Sequence, residues 1–204
     1  MCLPRIYSNG NVYALCLQKY SPSTAEMMHI YRTTRCVSDC AVKGEAAFRL
    51  VEMGGRSLTS PKLLHFFDNV NAVIFVASCS EVEGRLSGGE FTSGFQETCD
   101  FFGLVAKDSS LQKIPIILLI TKLDVLMEKS KRFDLKTVLP EFKGNPQEVK
   151  DVQKYIVDVF RSKCGSRPFY HHFMTCTDLG SVQEVFVEIK RDIRDSLLRK
   201  LLPQ

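Results

Sequence analysis

No two cysteines in this 204-residue sequence are spaced Cys-x-x-Cys. The roughly eighteen consecutive apolar residues that a membrane-spanning helix needs occur nowhere either. The first absence argues against a ribbon-type zinc site and the second against a transmembrane span. The opening stretch, MCLPRIYSNG, lacks the apolar core of a signal peptide. Residue 2 is cysteine rather than glycine, which excludes N-myristoylation and leaves palmitoylation of Cys2 or a plain N-terminal cysteine. Strong charge of either sign is missing too. A formal net charge of +4 suits an anionic ligand or membrane surface but is too small to argue nucleic acid.

The sequence does hold the material of one globular domain. Apolar residues make up 45% and charged residues 25%, which is ordinary for a folded chain. The length suffices to bury a full core. The 8 cysteines lie mostly within apolar runs, so reduced, largely buried thiols in a cytosolic protein are expected.

From about residue 47 onward, strand-like and helix-like patterns alternate. AFRLVEM (47–53) reads as a strand, SPKLLHFFDNV (60–70) as a helix and NAVIFVASC (71–79) as a second, buried strand. Residues 89–107 read as a helix with Phe91, Phe95, Cys99, Phe102 and Val105 on one side. IPIILLITK (114–122) is a third buried strand. Residues 145–164 form a helix, with Asn145 as its cap and Pro146 at its first position. HHFMTCTD (171–178) is a shorter strand. A final helix from Ser181 to about Leu202 carries the stripe Val182, Val185, Phe186, Ile189, Ile193 and Leu197. Residues 78–91 look like a loop, and 129–146 like a charged insertion. Strands alternating with helices predict crossover connections and a mostly parallel sheet, with any ligand beyond the carboxyl ends of the strands.

The run IPIILLITKLD therefore stands out. An almost wholly apolar strand ends abruptly in Thr121, Lys122, Leu123 and Asp124. From this run alone, a ligand site and an ordinary solvated loop remain equally open.

Three further stretches bear on the choice: YRTTRC (31–36), LVEMGGRS (50–57) and MTCTD (174–178). Together with ITKLD, in this order, they resemble the heterotrimeric G-protein α subunit. That family carries Arg-x-x-Thr-x-Gly, Asp-x-Gly-Gly-Gln, Asn-Lys-x-Asp and Thr-Cys-Ala-Thr at the matching places. LLHFFDNVNAVIFVAS and LPEFKGNP are similar to its intervening segments, and the likeness covers roughly residues 20–204. It implies an α/β, Ras-like P-loop NTPase fold, a mostly parallel sheet with helices on both faces. Residues 31–204 would form a partial Ras-like domain. Residues 1–30 would be an N-terminal segment, a remnant of the family's helical domain or, over 11–18, a replacement strand.

The resemblance implies roles residue by residue. Asp124 would accept hydrogen bonds from guanine N1–H and N2–H₂, a donor pair that adenine lacks. Lys122 would lay its stem along the base and ribose, and Cys176 would offer a backbone N–H to the guanine oxygen. Thr121 replaces the family asparagine, keeping one hydrogen-bonding group but losing the amide's reach. Thr33 or Thr34 would ligate Mg²⁺, the late motifs favouring Thr33. Glu52 takes the place of an aspartate in the Mg²⁺ shell. Met53 follows it, and Gly54 and Gly55 would let the backbone approach the γ-phosphate. The implied ligands are GTP or GDP with Mg²⁺. The implied partners are a βγ dimer, a G-protein-coupled receptor and effector enzymes, on the inner face of the plasma membrane.

The chain also departs from the family. Gly-x-x-x-x-Gly-Lys-Ser, which cradles the phosphates, and the strand before it do not occur in these residues. The water-orienting glutamine falls on Arg56, and a guanidinium has only donors. The arginine finger falls on Ile30 or Tyr31, with Arg32 displaced from it. The switch glycine is Arg35. The cysteine modified by a toxin in the family falls on Leu201. GTP hydrolysis is therefore doubtful, and a non-catalytic relative that keeps receptor and effector surfaces is the alternative. An unrelated α/β enzyme using His171 or His172 with Cys176 is the remaining reading; it lacks an oxyanion loop.

Overall fold

The computed structural model describes residues 21, 23, 27, 37–42, 48–54, 70–87 and 90–201. Two compact units divide the chain, residues 1–66 and 67–204. In the first unit, β1 (Ser38–Val42) and β2 (Phe48–Glu52) pair antiparallel, with Ser38 opposite Glu52. Cross-strand polar pairs support them. Arg49 reaches Asp39 at 2.7 Å, and the Ser38 hydroxyl donates to Glu52 at 3.2 Å. β2 matches the strand expected over 47–53, whereas β1 was not foreseen. The helix expected over 60–70 and the strand considered over 11–18 lie outside the described residues.

In the second unit, the strands are β3 (Val73–Ser78), β4 (Gly84–Ser87), β5 (Glu90–Ser93), β6 (Ile116–Thr121) and β7 (Phe169–Met174). β3, β6 and β7 form a parallel sheet in the order β3-β6-β7. The helices are α1 (Gly94–Lys107), α2 (Leu123–Lys129), α3 (Leu135–Val138), α4 (Val149–Cys164) and α5 (Leu179–Leu201). The architecture is the expected α/β one.

β6 is central because nearly every side chain on it is apolar. Ile116, Leu118 and Ile120 enter one cluster with Phe95, Phe102, Ile156 and Phe160 of α1 and α4. Ile117 and Leu119 enter another, with Val185 and Ile189 of α5. This period-two alternation covers both faces of the sheet with helices. Each of these side chains contributes roughly 1.5–3 kcal/mol by leaving water. Phe102 is the hub of the larger cluster. Its ring stands edge-on to Phe75 and Phe160, both at 5.0 Å, and to Phe169 at 6.3 Å.

Several boundaries differ from expectation. Residues 84–87 and 90–93 pair antiparallel where a loop, and then the start of a helix, were expected. The helix begins at Gly94 because the Ser93 hydroxyl accepts the Gln96 N–H at 3.1 Å. α4 begins at Val149, not after Asn145. The Asn145 side chain instead accepts the Gln147 N–H at 3.0 Å, closing a tight turn, and the Asn145 N–H donates to Asp151 at 2.8 Å. α4 ends at Gly165, whose φ of 61° suits a residue without Cβ. The charged insertion holds the short helix α3, started by Asp134 accepting the Lys136 N–H. β7 runs from 169 to 174 and α5 from 179 to 201, each starting two residues earlier than expected. β3 was expected to be a buried strand, but Val76 is 60% exposed. Among the described residues β3 has one strand neighbour, β6, so its cover is partial.

Candidate functional site

The polar residues that end β6 stand at the carboxyl edge of the parallel sheet. The register pairs Thr121 with Ser78 on one side and Met174 on the other. The segments after β3, β6 and β7 therefore leave the sheet at the same edge, which brings Lys122–Asp124 and Thr175–Cys176 to adjacent positions in the fold. Parallel strands make this edge the natural ligand site.

Thr121 is buried, and its hydroxyl donates to the Ala77 carbonyl at 3.2 Å. Its own carbonyl accepts both the backbone N–H and the thiol of Cys79, each at 3.1 Å. Burial pushes the Cys79 thiol up to about 12, so the sulfur remains a protonated donor.

Lys122 follows in the left-handed region, with φ 61° and ψ 31°. Among the described residues it is the one non-glycine residue with positive φ. Such a conformation costs a side-chain-bearing residue roughly 1–2 kcal/mol, and persists where the surroundings hold it. Its carbonyl accepts the Leu126 N–H at 3.1 Å, which starts α2. Leu123 turns partly inward against the larger cluster. Lys122 and Asp124 are both exposed, and neither forms an ion pair with a described residue. An ammonium on an aliphatic stem and a carboxylate thus leave the same sheet edge two residues apart, and the carboxylate can accept from a ligand with paired N–H donors.

On the neighbouring segment, the Thr175 N–H donates to the Ser181 hydroxyl at 3.2 Å, and the Asp178 N–H to the Thr175 carbonyl at 3.0 Å. These bonds hold the turn that carries Cys176, whose side chain is exposed. On the other side, Lys129 donates to the Ser80 carbonyl at 3.1 Å and pairs with Glu83 at 2.8 Å, tying α2 to the segment after β3. Sequence reasoning missed Cys79, Ser80 and Lys129, which join this edge only through the fold.

The remaining expected residues are distributed differently. Glu52 ends β2 in the first unit, where it accepts the Ser38 hydroxyl, and Met53 and Gly54 follow the strand. Arg32, Thr33, Thr34, Gly55 and Arg56 lie outside the described residues. His172 is engaged by Glu188 and Asp192 on α5. His171 stacks on Phe169, with centroids 6.0 Å apart, and burial holds its pKa below the usual histidine value. Both imidazoles thus have packing roles, with no nucleophile paired to them among the described residues. Among those residues no helix is long and apolar enough to cross a membrane.

The family model described as G-protein alpha subunit matches residues 5–193. Guanine nucleotide-binding protein subunit alpha-13 of Rattus norvegicus is 30% identical over 203 residues, covering 97% of this chain and 52% of that protein. Subunit alpha-12 of the same organism is 30% identical over 189 residues, covering 91% of this chain and 50% of its own length. The alpha-3 subunit of Dictyostelium discoideum is 32% identical over 192 residues, covering 90% of this chain and 33% of that relative. The chain spans about half the length of the first two relatives.

Proposed function

This chain belongs to the G-protein α-subunit family, and we propose that it binds guanine nucleotides and serves as an α-subunit-like transducer of receptor signals. The observation that carries the reading is the left-handed Lys122 followed by an exposed Asp124, without an ion pair among the described residues, at the carboxyl edge of a buried strand. Strain held at an exposed charged position is characteristic of ligand sites. The Asp124 carboxylate accepts from guanine N1–H and N2–H₂, while adenine offers no such pair. The Lys122 stem covers the base, and the Cys176 N–H meets the guanine oxygen. The family resemblance assigns Thr33 or Thr34 and Glu52 to Gly55 to the phosphates, and residues 31–204 to a partial Ras-like domain after the segment 1–30.

Mg²⁺ takes hard oxygen donors, and the Thr33 hydroxyl and the Glu52 carboxylate are of that kind. One Glu52 oxygen accepts from the Ser38 hydroxyl. When bound, the ion would neutralise phosphate charge. Arg56 favours a second reading, a relative that binds nucleotide without hydrolysing it. It stands where the family glutamine orients the attacking water, and a guanidinium cannot accept a hydrogen bond from that water.

The proposed partners are a βγ dimer, a seven-helix receptor and effector enzymes, at the inner face of the plasma membrane. α5 supports the receptor part. Arg191, Arg194, Arg199 and Lys200 are exposed on it, as are Leu198 and Leu201. An outer face of this charge suits a site next to anionic lipid.

The test is a titration of the 204-residue chain with fluorescent GDP, XDP and ADP. Asp124→Ala should abolish guanine binding. Asp124→Asn should turn the preference toward XDP, because an amide can donate to the xanthine 2-oxygen. Unchanged affinity in both variants would remove Asp124 from the site. Single-turnover hydrolysis separates the two readings, the second requiring bound GTP to persist.

A further inference from the structure

We propose that Thr121 and Cys79 are positioning residues for the guanine-reading loop, locking its backbone so that Lys122 keeps its left-handed turn and Asp124 faces the base already oriented. The inference rests on the reading of Lys122 and Asp124 as the base site. It assigns Thr121 a role away from the ligand.

The geometry leaves Thr121 little else to do. Its side chain is 5% exposed and points back into the sheet, where the hydroxyl donates to Ala77 of β3. Cys79 is 1% exposed and donates twice to the Thr121 carbonyl, through its N–H and its thiol. Three hydrogen bonds therefore cross from the end of β3 to one residue at the end of β6. The two from Cys79 fix the peptide plane between Thr121 and Lys122, and the hydroxyl bond anchors the Thr121 side chain to β3. On the far side, the Lys122 carbonyl is fixed by the Leu126 N–H. Lys122 is thus clamped at both of its peptide bonds, which is what a strained left-handed residue requires to persist. Asp124 lies two residues on, in the first turn of α2, so its direction follows from the same clamp.

The chemistry of the two side chains fits the task. A threonine hydroxyl donates one bond and, being β-branched, has few rotamers from which to choose. A buried thiol is a weak donor that tolerates an apolar setting. Neither needs solvent or ligand to be satisfied.

The test uses the full chain and the variants Thr121→Val, Thr121→Ser and Cys79→Ala. Valine keeps the shape and removes the hydroxyl. Two readouts are taken. The first is amide hydrogen exchange at Leu126, which depends on no nucleotide. Thr121→Val should speed it roughly tenfold, the scale of one lost hydrogen bond, while Leu118 in mid-β6 stays protected. The second is the ratio of affinities for GDP and IDP, which lacks the 2-amino group. That ratio should shrink in Thr121→Val, recover in Thr121→Ser, and shrink less in Cys79→Ala, which keeps the backbone donor.

Exchange at Leu126 that matches the wild type in Thr121→Val overturns the proposal, whatever the nucleotide does. So does faster exchange with an unchanged GDP-to-IDP ratio. Exchange that rises equally at Leu118 overturns it too, since the hydroxyl would then support the sheet as a whole. Failure of the underlying reading looks different. Asp124→Ala would then bind GDP like the wild type, with the Leu126 effect intact.

Discussion

The imidazole of His172 on β7 meets Asp192 of α5 at 2.7 Å through Nε2. Its other nitrogen, Nδ1, stands 2.9 Å from Glu188, one helical turn earlier. A neutral imidazole donates from one nitrogen, so both contacts are donated together when the ring is an imidazolium. One strand side chain thus fastens α5 to the sheet beside the apolar contacts of Val185 and Ile189.

Removing that fastening should loosen α5. His172→Ala leaves the partly buried Asp192 and the exposed Glu188 without their shared partner and should cost about 1 kcal/mol in urea unfolding. Adding Asp192→Asn to it should cost less than the sum of the single changes. Full additivity of the two would show that the pair is not coupled.

Phe102→Ala should destabilise the second unit by about 3–5 kcal/mol, since it removes the ring on which Phe75, Phe160 and Phe169 converge. A thermal melt measures it. A loss below about 1 kcal/mol, smaller than such truncations usually cost, would mean that the cluster refills the space.

Thiol reactivity should divide by burial. Burial pushes Cys79 and Cys99 up to about 12 and Cys164 to about 11. At pH 7.5 iodoacetamide should label Cys40 and Cys176, which are exposed, and spare these three until denaturant is added. Peptide mapping reads the outcome. Rapid labelling of Cys79 in the native chain would contradict its place behind Thr121.

The Asp100–Lys163 pair joins α1 to α4 at 3.0 Å. The Lys163 ammonium beside Asp100 holds its carboxyl below the usual carboxylate value. A lowered folded-state pKa means that the contribution is present above the unfolded value, about 4, and is lost as pH falls through the folded one. Asp100→Asn should therefore lower the melting temperature slightly at pH 7 and not at pH 2. High salt should narrow the difference, because the Asp100 carboxylate is exposed. A gap that persists at pH 2 would mean that the amide disturbs packing rather than charge.

Under the receptor reading, Leu201→Asp should leave guanine binding intact and weaken coupling in cells. Leu201 is 78% exposed. Unchanged coupling would make α5 a packing helix with a solvated basic face.

β6 and its polar end were legible in the sequence because a parallel strand covered on both faces writes itself as one apolar run. α1, α4 and α5 were legible from their stripes, since helical spacing survives without knowledge of partners. The start of α4 was not. Asn145–Pro146 has the composition of a helix start, but the asparagine closes a turn on Gln147 instead. The β4–β5 pair was hidden because runs of four residues carry too little alternation; the Gly-Gly between them in the sequence was the available signal. The inward turn of Thr121 could not be read at all. Its partner, Ala77, lies 44 residues earlier, and sequence order carries no distance.

The strand order β3-β6-β7 sets the order in which the chain can be assembled. Ile116 must find Val73 behind it and Phe169 ahead of it, so neither side of β6 closes through a short hairpin. Such long loops make pairing slow compared with helix formation. During synthesis β6 emerges well before β7, and its most apolar edge waits unpaired until the last strand leaves the ribosome. A chain stopped before Phe169 would present that edge, from Ile116 to Ile120, to any neighbour. It should collect in aggregates rather than persist as a shorter soluble domain.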